Sequence, residues 1–67
     1  MTRVTVVIRE GPMGYLAAHA VENVPKHLRV TYLEPWQARS ARIGDRAIME
    51  YRQTLNGFQW IVAQVLS

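Results

Sequence analysis

A chain of 67 residues with no cysteine must hold itself together without disulfides, and without any zinc site built on thiolates. At this size, folding buries only about 60% of the surface that the unfolded chain exposes. A single core then rarely supplies more than ~3–5 kcal/mol. A metal does not fill the gap, because His19 and His27 cannot close a tetrahedral site without carboxylates. Two devices remain: close packing, and self-association into a homodimer. The composition suits packing, with 49% hydrophobic and 19% charged residues, which is that of a folded domain and not of a disordered segment. Residues 1–67 read as a single domain without repeat, linker or low-complexity tract.

No apolar run approaches the ~20 residues of a membrane-spanning helix. Met1-Thr2-Arg3 and the short Val4–Ile8 run lack the length and cleavage site of a signal peptide. The expectation is a cytoplasmic protein with no membrane contact.

Thr2–Arg9 is rich in β-branched residues and stops at Gly11-Pro12, so it reads as a strand with Val4, Val6 and Ile8 toward the core. Residues 14–24 allow two readings. A helix places Met13, Leu16, Ala17, Ala20 and Val24 on one stripe, with Pro25 enforcing the stop. A strand makes residues 11–14 the turn of a hairpin with the first strand. The alanines tip the reading toward helix. Leu28–Leu33 is a further strand. Pro35 then stands at a first helical position and Gly44 where a left-handed terminal residue is wanted, which predicts a helix over about 35–43 with Trp36, Ser40 and Ile43 on one face. Arg46–Gln53 and Phe58–Leu66 flank Asn56-Gly57, the strongest short-range hairpin signal. Ala47, Met49 and Tyr51 share one face of the first of these strands. Both faces of the second are largely apolar, which suggests a central strand, or one that meets the helix or a second subunit. The expected fold is α+β: a small antiparallel sheet of four to five strands, one short helix (about 35–43) packed on it, and a possible second helix at about 14–24.

Nothing local assembles a catalytic site. Asp45 and Glu50 point differently along one strand, Glu34 opens a helix, and no serine or aspartate is spaced to work with either histidine. The four glycines, at 11, 14, 44 and 57, read as turn and cap residues and not as a phosphate loop. No catalytic, cofactor-binding or metal-binding residue is assigned, and no enzyme is expected.

The arginines are the one cluster with chemistry to offer. The net charge of +3 comes from seven arginines and one lysine against five acids. Arginine usage on this scale can reflect genome composition, or its planar fork chosen to grip phosphate or carboxylate. Arg39, Arg42 and Arg46 run along and out of the expected helix, with Trp36 one turn upstream and Arg52 further along the next strand. Such a row can be a solubilising face with Trp36 in the core, or a contact surface with Trp36 as its anchor.

Two resemblances add to this. Residues 42–51, Arg-Ile-Gly-Asp-Arg-Ala-Ile-Met-Glu-Tyr, resemble the third-to-last strand of RelE/ParE-type toxins, where a basic turn leads into a hydrophobic strand. That resemblance implies a reduced toxin with ribonuclease or gyrase-poison activity that depends on Arg46. Residues 29–63, running strand, short helix, strand, Asn-Gly turn and Trp-bearing strand, are similar in order to small phage-encoded anti-CRISPR inhibitors. Those proteins block a nucleic-acid-handling complex by occupying its surface. The expected function is therefore a non-enzymatic binding or inhibitory module from a phage or other mobile element. Its partner would be a protein or protein–nucleic-acid complex, contacted by Trp36, Arg39, Arg42, Arg46 and Arg52. Direct nucleic-acid binding through the same arginines is the alternative, and the toxin a second one.

Overall fold

The computed structural model describes residues 2–66, and for Phe58 the backbone alone. The strands are β1 (Thr2–Glu10), β2 (Leu16–Ala20), β3 (Val30–Tyr32), β4 (Arg46–Thr54) and β5 (Gly57–Val65), and α1 is the single turn Pro35–Ala38. Short 3-10 turns occupy Pro12–Gly14 and Lys26–Leu28. All strand pairs are antiparallel, in the order β3-β2-β1-β4-β5, and the sheet curls into a half-barrel.

Alternation decides which side is filled. Val4, Val6 and Ile8 of β1 point into the hollow of the half-barrel with Ala18 of β2 and Ala47 and Met49 of β4, all nearly solvent-free. Leu16, Ala20, Trp60 and Val62 extend this layer toward the two edges. The stretch from Leu33 to Gly44 crosses the open side from β3 to β4 and lowers Leu33, Ala38 and Ala41 onto the core. Tyr51 and Trp60, cross-strand partners on β4 and β5, stack with ring centroids 4.9 Å apart.

The α+β expectation is overturned: this is a strand-dominated half-barrel with no helix of seven or more residues among those described, not a helix packed on a sheet. The expected helix over about 35–43 starts at Pro35 but ends at Ala38, after one turn. A helix this short cannot offset its nucleation cost, so the core dictates the path. Its faces also differ from the expected ones. Trp36 and Ile43 are 53% and 60% exposed, while Gln37, Ala38 and Ala41 turn inward. Gly44, with φ 94°, serves the tight turn into β4 and not a helix end. There Asp45 Oδ2 accepts from the Arg42 N–H at 3.0 Å, and the Gly44 N–H reaches the Ile8 carbonyl at 2.8 Å.

Of the two readings left open for 14–24, the possible second helix gives way to the hairpin strand: Leu16–Ala20 is β2, paired with β1 from Glu10 opposite Leu16 to Val6 opposite Ala20. Alanine favours helix, but that preference is only a few tenths of a kcal/mol per residue against most others. The unsatisfied edge of β1 and the core-facing alternation of Leu16, Ala18 and Ala20 outweigh it. The last strand is also not central, because β1 holds that place and β5 lies at an edge. Its register slips at Ala63: Gln64 faces Ile48 while Val62 faces Met49, so a bulge separates them. Gln64 therefore leaves the face shared by Trp60 and Val62, and Val65 opposes core-facing Ala47. The side chain of Phe58 lies outside the described residues.

Candidate functional site: a four-cornered basic sheet face

The odd-numbered residues of β1 turn away from the core, and the pairing of β1 with β4 decides what they meet. Arg3 lies opposite Glu50, Thr5 opposite Ile48, and Val7 opposite Arg46. Arg9 extends past this ladder beside Ala17 of β2, and Arg52 extends past it at the other end beside Gln59 of β5. The outer face of the two central strands thus has an arginine at each corner. Arg3 and Arg52 hold one end, and Arg9 and Arg46 the other, about 20 Å away at the ~3.4 Å rise of an extended residue. Between them Thr5, Val7 and Ile48 are half-buried, and His19 flanks Val7 from β2.

The charge of the molecule is concentrated here. Four arginines and Glu50 give this face +3, while the other four cations and four acids cancel, so the whole net charge of +3 belongs to one surface.

Glu50 organises one end of it. Its side chain is 5% exposed, yet it stands between Arg3 and Arg52, whose side chains are 69% and 47% exposed. Arg3 donates through Nε to Oε1 at 3.0 Å, and Arg52 through Nη2 to Oε2 at 2.6 Å. The Arg52 hydrogen bond holds the Glu50 carboxyl below its ordinary 4.5; burial opposes this and the Arg3 charge adds to it. The glutamate thereby fixes two guanidinium groups at the surface without hiding them, which lowers the entropy lost when they grip a ligand.

A pH prediction follows with its sign. Because the folded value lies below 4.5, the stabilisation from Glu50 is complete above that pH and is lost as pH falls through the lower folded value. Melting temperature recorded from pH 7 down to pH 2 should fall more steeply for the parent than for Glu50→Gln in that acid window. Parallel curves would mean that the triad contributes nothing.

The sequence-expected contact residues do not form one row. Arg46 and Arg52 sit on the outer face at opposite ends of β4, whereas Trp36, Arg39 and Arg42 belong to the crossover on the core side. Arg39 follows the last helical residue, so no helical face carries Arg39, Arg42 and Arg46 together. Trp36 instead borders a cleft of about 320 Å³ with Gln37, Ser40 and Val62–Val65. Arg3 and Arg9 were legible as one face of β1; their grouping with Arg46 and Arg52 was not, since it depends on a long-range strand register.

A second cleft, of about 410 Å³, opens beside β3 between Pro12, Met13, Tyr15, Tyr32, Leu33 and Glu34. Among the described residues no three histidines, aspartates or glutamates are grouped as a metal site would require, and no helix is long and apolar enough to cross a membrane. Compared with protein-family models, curated proteins and solved structures, the chain matches none.

Proposed function

We propose that this protein is a non-enzymatic binding module that lays the outer face of β1 and β4 on the phosphate backbone of a nucleic acid, free or held within a protein–nucleic-acid complex, and covers it. One observation carries the reading: all of the net charge lies on this face, as four guanidinium groups around a half-apolar centre. Arginine suits phosphate because its donors form a rigid fork and it is weakly hydrated. A face that occupies a backbone also blocks whatever else would use it. The reading takes up the alternative expected from the sequence, direct nucleic-acid binding through arginines, with Arg3 and Arg9 taking the places of Arg39 and Arg42.

Salt tests it. Each phosphate contact contributes a slope of about −0.7 to −0.9 to log K against log salt. Four contacts therefore give about −3 to −4, and Arg46→Gln should reduce the slope by about one. Arg39→Gln and Arg42→Gln should leave it unchanged. Affinity that is flat between 50 and 200 mM salt, or a slope that depends on Arg39 and Arg42 instead, contradicts the reading.

A further inference from the structure

The cleft beside β3 has Leu33 of the core at its base, and its other apolar side chains, those of Pro12, Met13, Tyr15 and Tyr32, lie outside the core cluster. Met13 adopts φ 57° and ψ 28°, a left-handed conformation that residues other than glycine rarely take, and the residue is 93% exposed. It therefore accepts strain without burying anything. Two backbone bonds hold it there: the Gly11 N–H donates to the Tyr15 carbonyl at 2.7 Å, and the Tyr15 N–H to the Pro12 carbonyl at 3.1 Å. Tyr32 lies so close over the Gly11 backbone that a Cβ on Gly11 would stand 3.3 Å from its ring. Even so, Tyr15 and Tyr32 remain 53% and 57% exposed. Two aromatic rings and a thioether are thus presented to solvent around a cleft of about 410 Å³, which lies within the ~300–1,000 Å³ typical of small-ligand sites. Backbone strain and exposed aromatic surface that coincide at one cleft mark a site kept for contact.

The register joins this cleft to the basic face. Arg9 pairs with Ala17, and Ala17 with Tyr32, so the three form one row across the outer side of the sheet. Two inter-strand steps separate the Arg9 and Tyr32 backbones, about 10 Å. The charged residue among those lining the cleft is Glu34. Its carboxylate repels a phosphate and accepts from the N–H groups of a base. An aromatic cleft that excludes phosphate, next to a corner that attracts it, fits an unpaired nucleotide.

Resting on the reading of the outer face, we propose that the nucleic acid bound there is single-stranded, and that one unstacked base enters the cleft between Tyr15 and Tyr32 while its flanking phosphates meet the Arg9 corner. Base stacking on aromatic side chains tolerates any sequence, so the cleft selects unpaired strands and not particular bases. A duplex keeps its bases stacked inside and offers none.

The test compares a fluorescein-labelled 12-nucleotide single strand with the same sequence as a duplex, at matched salt, using the full chain. The single strand should bind about tenfold more tightly. Tyr32→Leu and Tyr15→Leu should each remove most of that preference while leaving duplex affinity and the salt slope as in the parent. Tyr32→Phe, which retains the ring, should keep it. Should Tyr32→Leu fail to fold by circular dichroism, Tyr15→Leu, on an exposed turn residue, carries the test alone. Folded variants that bind the single strand as the parent does overturn this inference and leave the outer-face reading intact. A parent that binds neither probe at 50 mM salt overturns both.

Discussion

Replacing Gln37 with leucine is expected to destabilise the protein by about 2–3 kcal/mol, although it makes a buried position more apolar. Gln37 is 5% exposed and uses both ends of its amide. Oε1 accepts from the Glu34 N–H at 2.7 Å, and Nε2 donates to the Trp60 carbonyl at 2.8 Å. The first bond fixes the start of α1, where an unpaired backbone donor would otherwise stand. The second ties the crossover to β5, whose outer edge has no neighbouring strand among the described residues. Leucine removes both partners at once, and each group left unsatisfied costs roughly 1–3 kcal/mol to the extent that water cannot reach it. Gln37→Glu keeps the acceptor and loses the donor while placing a charge in a buried position, so it should cost at least as much. Urea unfolding measures the loss. Amide exchange locates it, with Trp60–Val65 becoming faster and the β1–β4 ladder remaining protected. A Gln37→Leu variant as stable as the parent would show that the clamp is dispensable.

Ile8→Ala should have the larger effect. Ile8 is fully buried on the central strand, between core-facing Ala18 and the end of β4, and its carbonyl and N–H also hold Gly44 and Asp45. Its neighbours include many alanines, which have no side-chain torsions with which to close a void. The cost should therefore lie toward the upper part of the ~2–5 kcal/mol range for Ile→Ala. Against the ~3–5 kcal/mol that a core of this size supplies, that leaves the variant largely unfolded at 25 °C by circular dichroism. Ile8→Val, which removes one methylene group, should stay folded and lose about 1 kcal/mol. A well-folded Ile8→Ala would mean that the core around β1 collapses more easily than its packing implies.

The sequence was informative where the signals are local. Asn56-Gly57 marks the β4–β5 turn, although the positive φ, 120°, falls on Gly57 alone among the turn residues. Val4, Val6 and Ile8 alternate into the core as read, and so do Ala47 and Met49. It misled where a distant partner outweighs a local preference. Residues 16–20 are alanine-rich and are still a strand, because β1 needs a neighbour. Gln37 is polar and buried, opposite to what a hydrophobic stripe through Trp36 implies. The spacing of Glu34 and Gln37, three residues apart at a helix start, was the one local hint of its role. The basic face depends on the most distant information, since the pairing of Arg3 with Glu50 joins residues 47 positions apart.

If the outer face of β1 and β4 is the binding surface, a ligand must perturb that face first. A two-dimensional NMR titration of the isotopically labelled protein with a short single-stranded oligonucleotide tests it most directly. Shifts are expected at Arg3, Thr5, Val7, Arg9, Arg46 and Arg52, extending to Tyr15 and Tyr32 of the adjoining cleft, with Arg39 and Arg42 on the crossover left unperturbed. Shifts centred on Trp36, Arg39 and Arg42 with the outer face silent would contradict it.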